Sequence, residues 1–133
     1  MGRDVARITA YCDRSAPGAA RAALAELPDI GPVLGDAMLV ASELVTNAVQ
    51  HSLCTEEELL TVVLRREDDH LRISVRDPGR SGGTAQIADD PYGFRGLGLK
   101  VVDQLAVRWG SERHHQGYEV WAELPLIQAA IRN

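Results

Sequence analysis

The sequence predicts an α+β fold: a two-layer sandwich in one domain spanning residues 1–133, with a mixed, mainly antiparallel sheet and helices on one face. Three observations predict it. Leu34, Met38, Ala41, Leu44, Val45 and Ala48 recur at the three-and-four spacing of a buried helical face. Leu71, Ile73 and Val75 alternate with Arg72, Ser74 and Arg76, as in a strand with one face packed and one face wet. The order of elements is strand, two helices, hairpin, loop, helix and closing hairpin, which layers the helices on a sheet built from hairpins.

Residues 5–11 read as a first strand, with an edge exposed for pairing. Ser15, Ala16 and Pro17 open an Ala-rich helix that runs to about Leu27, where Pro28 ends it. Asp29, Gly31 and Pro32 then introduce the long helix, which continues to about His51. Residues 59–66 are rich in β-formers, and the polar turn Glu67-Asp68-Asp69-His70 joins them to 71–77 as a hairpin. From Pro78 to Arg95 the chain turns to Gly, Pro, Ser and Asp, a stretch long enough to predict a functional loop that is mobile when nothing is bound. Helical spacing resumes over 97–106, residues 107–113 and 118–124 form the closing hairpin, and Pro125 precedes a short tail helix.

At 133 residues the chain buries enough surface to fold without staples. Cys12 and Cys54 fit no metal spacing and no disulfide framework, so they read as small packed residues in a reducing, cytoplasmic setting. The N-terminus lacks a signal-type apolar run, and no segment is apolar enough to span a bilayer. A formal net charge of −5, with no basic stripe, argues against nucleic acid or anionic membrane as a partner.

The chemistry concentrates in three places. Glu43, Asn47 and His51 stand four residues apart, about one helical turn, at the edge of the apolar arc. Side chains there point either into a cleft, where they handle protons or a hard cation, or merely along a solvated helix end. Asp77 ends a strand and runs into Pro78-Gly79, either as an ordinary turn or as a carboxylate placed to accept a hydrogen bond from an exocyclic amine such as that of adenine. Gly93, Gly96 and Gly98 lead into a helix whose free N–H groups favour a phosphate, although glycines also open helices that bind nothing.

Taken together and in this order, the acid and amide of one helix, the Asp-x-Gly after a strand and the Gly-x-Gly entering a later helix resemble the GHKL superfamily of ATPases and kinases, named for gyrase, Hsp90, histidine kinases and MutL. Residues 42–51, the short lid, Arg95-Gly96-Leu97-Gly98-Leu99, Trp109-Gly110 and Val120-Trp121-Ala122-Glu123-Leu124-Pro125 resemble its anti-sigma-factor serine kinase branch, common in actinobacteria. That resemblance implies a Bergerat-type ATP-binding fold. It further implies Glu43 as catalytic base, Asn47 as Mg²⁺ ligand, Asp77 as reader of adenine with Gly79 beneath the base, and Gly96, Leu97 and Gly98 at the phosphates. Arg95 and Lys100 would add positive charge there, and His51 a hydrogen bond on the phosphate side.

The function implied is an ATP- and Mg²⁺-dependent serine/threonine kinase that holds a sigma factor and phosphorylates an anti-anti-sigma antagonist, with relatives acting as homodimers. Two departures support an alternative, a nucleotide-binding module that acts by protein binding alone. The second motif glycine is displaced to Gly82 or Gly83, and Glu119 stands where relatives usually carry a threonine near the base. If Glu119 faces Asp77, the two carboxylates repel and adenine recognition weakens. A histidine-kinase catalytic domain is disfavoured by the short lid and the lack of dimerisation helices.

Overall fold

A computed structural model describes residues 2–51, 54–78, 97–114 and 117–126. In chain order these form β1 (Arg3–Tyr11), α1 (Ala16–Ala25), a 3-10 turn (Gly31–Val33), α2 (Leu34–His51), β2 (Leu59–Arg66), β3 (His70–Asp77), α3 (Leu97–Leu105), β4 (Arg108–His114) and β5 (Gly117–Pro125). The five strands make one sheet in the order β1-β2-β3-β5-β4, and every pairing is antiparallel. The α+β sandwich of the sequence reading is thus the observed architecture. The lid at 80–95 and the tail helix after Pro125 fall mostly or wholly outside the described residues.

Each helix forms for a local reason and is held by burial. Asp13 accepts hydrogen bonds from the Ser15 backbone N–H and hydroxyl just before α1, and these bonds hold its carboxyl below the usual range. Ala16, Ala20 and Leu24, one turn apart, are fully buried, so α1 lies close on β1 and α2. Pro32 sits in the 3-10 turn ahead of α2 rather than in its first α-turn. Ala37, Val40, Ala41, Leu44 and Val45 of α2 meet Leu60, Val62, Leu64, Leu71, Ile73 and Val75 of the sheet in one core. Trp109 Nε1 donates to Asp103 Oδ1 at 2.8 Å, tying α3 to β4.

Among the described residues no helix lies on the other face of the sheet, and charge pairs cover much of it instead. Glu123, 6% exposed, accepts from Arg108 Nε at 2.9 Å and Arg72 Nη1 at 3.2 Å, and Arg72 lies over the Trp121 ring at 4.2 Å. A buried carboxylate is tolerable only with such partners.

The cysteines correct the sequence reading. Cys12 and Cys54 are joined in a disulfide, with Cα atoms 6.0 Å apart. The cause is the β1–β2 pairing: Tyr11 lies opposite Leu59 and the Cys12 N–H donates to the Glu58 carbonyl at 3.0 Å, which brings the end of β1 beside the segment that leaves α2. Cysteine usage therefore no longer argues for a reducing compartment. No helix among the described residues is long and apolar enough to cross a membrane.

The bond closes a loop across a separation of 42 residues, for which chain entropy predicts roughly 4 kcal/mol. Cys12→Ser with Cys54→Ser should lower the unfolding free energy of the oxidised protein by about 2–4 kcal/mol in denaturant titration, to the level of the reduced wild type. A double variant as stable as the oxidised protein would show that the tether contributes nothing.

Candidate functional site

The candidate residues are positioned by which end of the sheet each helix terminus reaches. Asp29 and Ile30, just before α2, share a small cavity with Arg3, Arg66 and Leu71, so α2 starts at the Leu71 end of β3. At the far end of α2 the disulfide holds Cys54 to Cys12, next to the Tyr11–Leu59 rung. That is the Asp77 end, because Thr61 pairs with Arg76. The C-terminal half of α2, which carries Glu43, Asn47 and His51, therefore approaches the same end of the sheet as Asp77.

The facing of α2 follows from one hydrogen bond. Arg21 Nη1 of α1 donates to Ser42 Oγ at 2.9 Å, which sets Ser42 on the α1 flank. At about 100° per residue, Glu43 and Asn47 fall roughly 100° and 140° around from Ser42, while buried Ala37, Ala41, Leu44 and Ala48 centre near 230°. Glu43 and Asn47, both half-buried, thus lie on the flank away from α1, where α3 packs against α2. The C-terminal end of α3 leads into Arg108, which pairs with Glu123 near the Leu71 end, so its N-terminus points away from that end.

Asp77 has an unusual setting. It is 6% exposed and continues the alternation of Leu71, Ile73 and Val75, so its carboxylate is on the helix-covered face. The other buried polar or charged residues among those described, Ser74, Glu119 and Glu123, alternate onto the opposite face. An aspartate this deeply buried among core residues is uncommon, and its place at the end of the sheet marks it as a candidate for function.

Glu119 does not face Asp77. The register puts Asp77 opposite Tyr118 and Arg76 opposite Glu119, so the two carboxylates are on different sides of the sheet. Burial raises the Glu119 pKa, but hydrogen bonds from His114 and Ser74 and the Arg76 charge outweigh it and hold the group below the usual carboxylate range. The residue beside Asp77 is Tyr118, 7% exposed. The sequence reading missed it, although the alternation of Tyr118, Val120, Ala122 and Leu124 with Glu119, Trp121 and Glu123 carried the signal.

Of the remaining sequence candidates, Lys100 is exposed in the first turn of α3. Only the backbone of Leu97 and Gly98, and of His51 at the end of α2, is described. Gly79, Arg95 and Gly96 lie outside the described residues.

Comparison with known proteins agrees with this architecture. Residues 35–128 match the family described as Histidine kinase-, DNA gyrase B-, and HSP90-like ATPase, and the chain belongs to that family. Among solved structures it is similar to the crystal structure of the RsbU and RsbW domains of Rv1364c from Mycobacterium tuberculosis, at 21% identity and a TM-score of 0.63. That match covers 90% of this chain and 31% of the other, so this chain spans about a third of that protein's length. No curated protein matches the sequence.

Gly117, also missed, holds this end of the sheet together. A Cβ there would collide with the Asp77 carbonyl oxygen and come within 3.3 Å of Arg76 Cγ, so only glycine fits beside the last β3–β5 rung. Gly117→Ala should destabilise the protein by about 1–3 kcal/mol, measured as the shift in denaturant midpoint. An unchanged midpoint would mean that the strands separate there at no cost.

Proposed function

We propose that this chain binds ATP with Mg²⁺ and acts in the cytoplasm as a serine/threonine protein kinase that also holds a sigma factor, changing partner by phosphorylating an anti-anti-sigma antagonist. The observation that carries this reading is Asp77, a buried carboxylate on the helix-covered face at the end of the sheet that the Glu43 and Asn47 half of α2 approaches.

Asp77 would accept a hydrogen bond from the exocyclic amine of adenine, with Gly79 letting the base lie close to the backbone. Asn47 offers an amide oxygen beside the Glu43 carboxylate on one flank of α2, a hard donor set that fits Mg²⁺, which takes one or two protein oxygens and completes its shell with phosphate and water. When bound, Mg²⁺ neutralises charge on the transferring phosphate. Glu43, one turn before Asn47, would orient and deprotonate the attacking hydroxyl. Gly96, Leu97 and Gly98 would present backbone N–H groups to the phosphates at the start of α3, with charge from Arg95 and Lys100 and a hydrogen bond from His51.

The partner assignment rests on the resemblance of the motifs to anti-sigma-factor kinases. β1 is an edge strand, which offers a route for two chains to pair as a homodimer. The alternative, a module that binds without turnover, drew support from a Glu119 aimed at Asp77; the observed register removes that support. The displaced glycine after Asp77 lies outside the described residues.

Isothermal titration with ATP and Mg²⁺ should show binding to wild type that Asn47→Ala weakens about tenfold or more. Transfer of radiolabelled phosphate to the antagonist should fall roughly 10²- to 10⁴-fold in Glu43→Ala while nucleotide binding persists. Equal metal-dependent binding by wild type and Asn47→Ala would remove Asn47 from the site, and binding with no transfer by wild type would select the module.

A further inference from the structure

The unhelixed face of the sheet holds a cluster that the proposed kinase chemistry does not use. Glu112 of β4 lies directly opposite Glu119 of β5, and two like charges at such a rung repel unless a cation stands between them. His114 reaches into that position: its Nε2 is 2.6 Å from Glu119 Oε1 and 3.8 Å from Glu112 Oε2. The ligand atoms of the three residues all lie within 4.8 Å of one another. Around a tetrahedral Zn²⁺ with bonds of about 2.0–2.2 Å, ligand atoms stand about 3.3–3.6 Å apart, so small side-chain shifts convert this triad into one face of a coordination shell. Its fourth corner would be open to water.

The geometry points to a binding site for a divalent transition cation of the Zn²⁺ type, held by His114 Nε2 and the carboxylates of Glu112 and Glu119. An imidazole nitrogen with two carboxylates suits Zn²⁺, whereas Mg²⁺ prefers oxygen ligands alone. In the apo arrangement His114 Nε2 and Glu119 Oε1 share a hydrogen bond of 2.6 Å; a metal at Nε2 would take the place of that bond and leave the ring proton on Nδ1. The site is half built: Glu119 is 9% exposed, held by a hydrogen bond with Ser74 and by Arg76 Nη2 at 3.4 Å, while His114 and Glu112 are freer to close. Arg76, whose side chain is 48% exposed, is the resident cation that the metal displaces. A bound ion would clip β4 to β5 three residues before Gly117 and on the face of the sheet opposite Asp77.

The test is titration of the oxidised, nucleotide-free full chain with Zn²⁺ at neutral pH in competition with a chromophoric chelator. With Cys12 and Cys54 paired, no thiol contributes. One Zn²⁺ per chain is expected, with affinity reduced at least tenfold in His114→Ala and also reduced in Glu112→Gln. Arg76→Ala should tighten binding severalfold, an effect that a purely structural ion pair would not give. His70→Ala, a histidine on the same face beside Asp69 and Glu123, should bind as wild type. Absence of saturable binding, or wild-type affinity in both His114→Ala and Glu112→Gln, would overturn the assignment. Because no nucleotide is present, either result stands apart from the ATP reading.

Discussion

The antiparallel register between β3 and β5 decides what chemistry each face of this sheet carries. With Asp77 opposite Tyr118 and Arg76 opposite Glu119, one carboxylate goes to the helix side and the other to the open side. A slip of a single residue would exchange them, because the side-chain period of a strand is two. It would bury Arg76 beneath the helices and drive Ile73 and Val75 into water, at a cost of several kcal/mol in lost apolar burial. The position of Asp77 is thus secured by the residues that precede it on β3, whose burial leaves no competing register.

The second constraint is longitudinal. α2 has 18 residues and spans roughly 27 Å, close to the length of the 8-residue β3, so the helix begins at one end of the sheet and finishes at the other. Its start is packed near Arg66 and Leu71, and its finish is tethered through Cys54 to the end of β1. Rotation about the helix axis is fixed independently by the bond from Arg21 to Ser42 and by the buried Ala and Leu stripe. Length, ends and rotation together leave Glu43 and Asn47 little choice of where to project.

Much of this was legible in the sequence, and the exceptions share a physical cause. The limits of β2, the start of α3 and the two hairpins were readable because periodicity and turn residues are local signals. Glu43, Asn47 and Asp77 stood out because carboxylates and an amide at the edge of apolar patterns conflict with burial unless something needs them. The disulfide was not readable, since the proximity of Cys12 and Cys54 exists only after β1 pairs with β2 across intervening helices. The orientation of Glu119 was readable in principle: matching the family's threonine by position along the chain overrode the alternation of β5, and the alternation was right. Gly117 looked like a turn glycine, and the carbonyl that it must accommodate belongs to a strand about forty residues earlier in the chain.

The open face explains how one thin hairpin can serve both sides of the sheet. A sheet with helices on one side must keep water and other chains from exploiting its bare face, and here paired charges over Trp121 cover the β3, β5 and β4 part of it, while Tyr11 and Leu59 stand exposed opposite each other at the β1–β2 end. Those pairs join β3 to β5 and β5 to β4: Arg72 and Arg108 both close on Glu123, and Arg76 and His114 both close on Glu119. The same two carboxylates therefore link three strands on one side while Val120, Ala122 and Leu124 are buried on the other. The Arg76–Glu119 rung adjoins the Asp77–Tyr118 rung, and Gly117 beside it packs against the Asp77 backbone. The ion pairs on one face and the carboxylate on the other thus stand on adjacent rungs, the last two of β3 and β5.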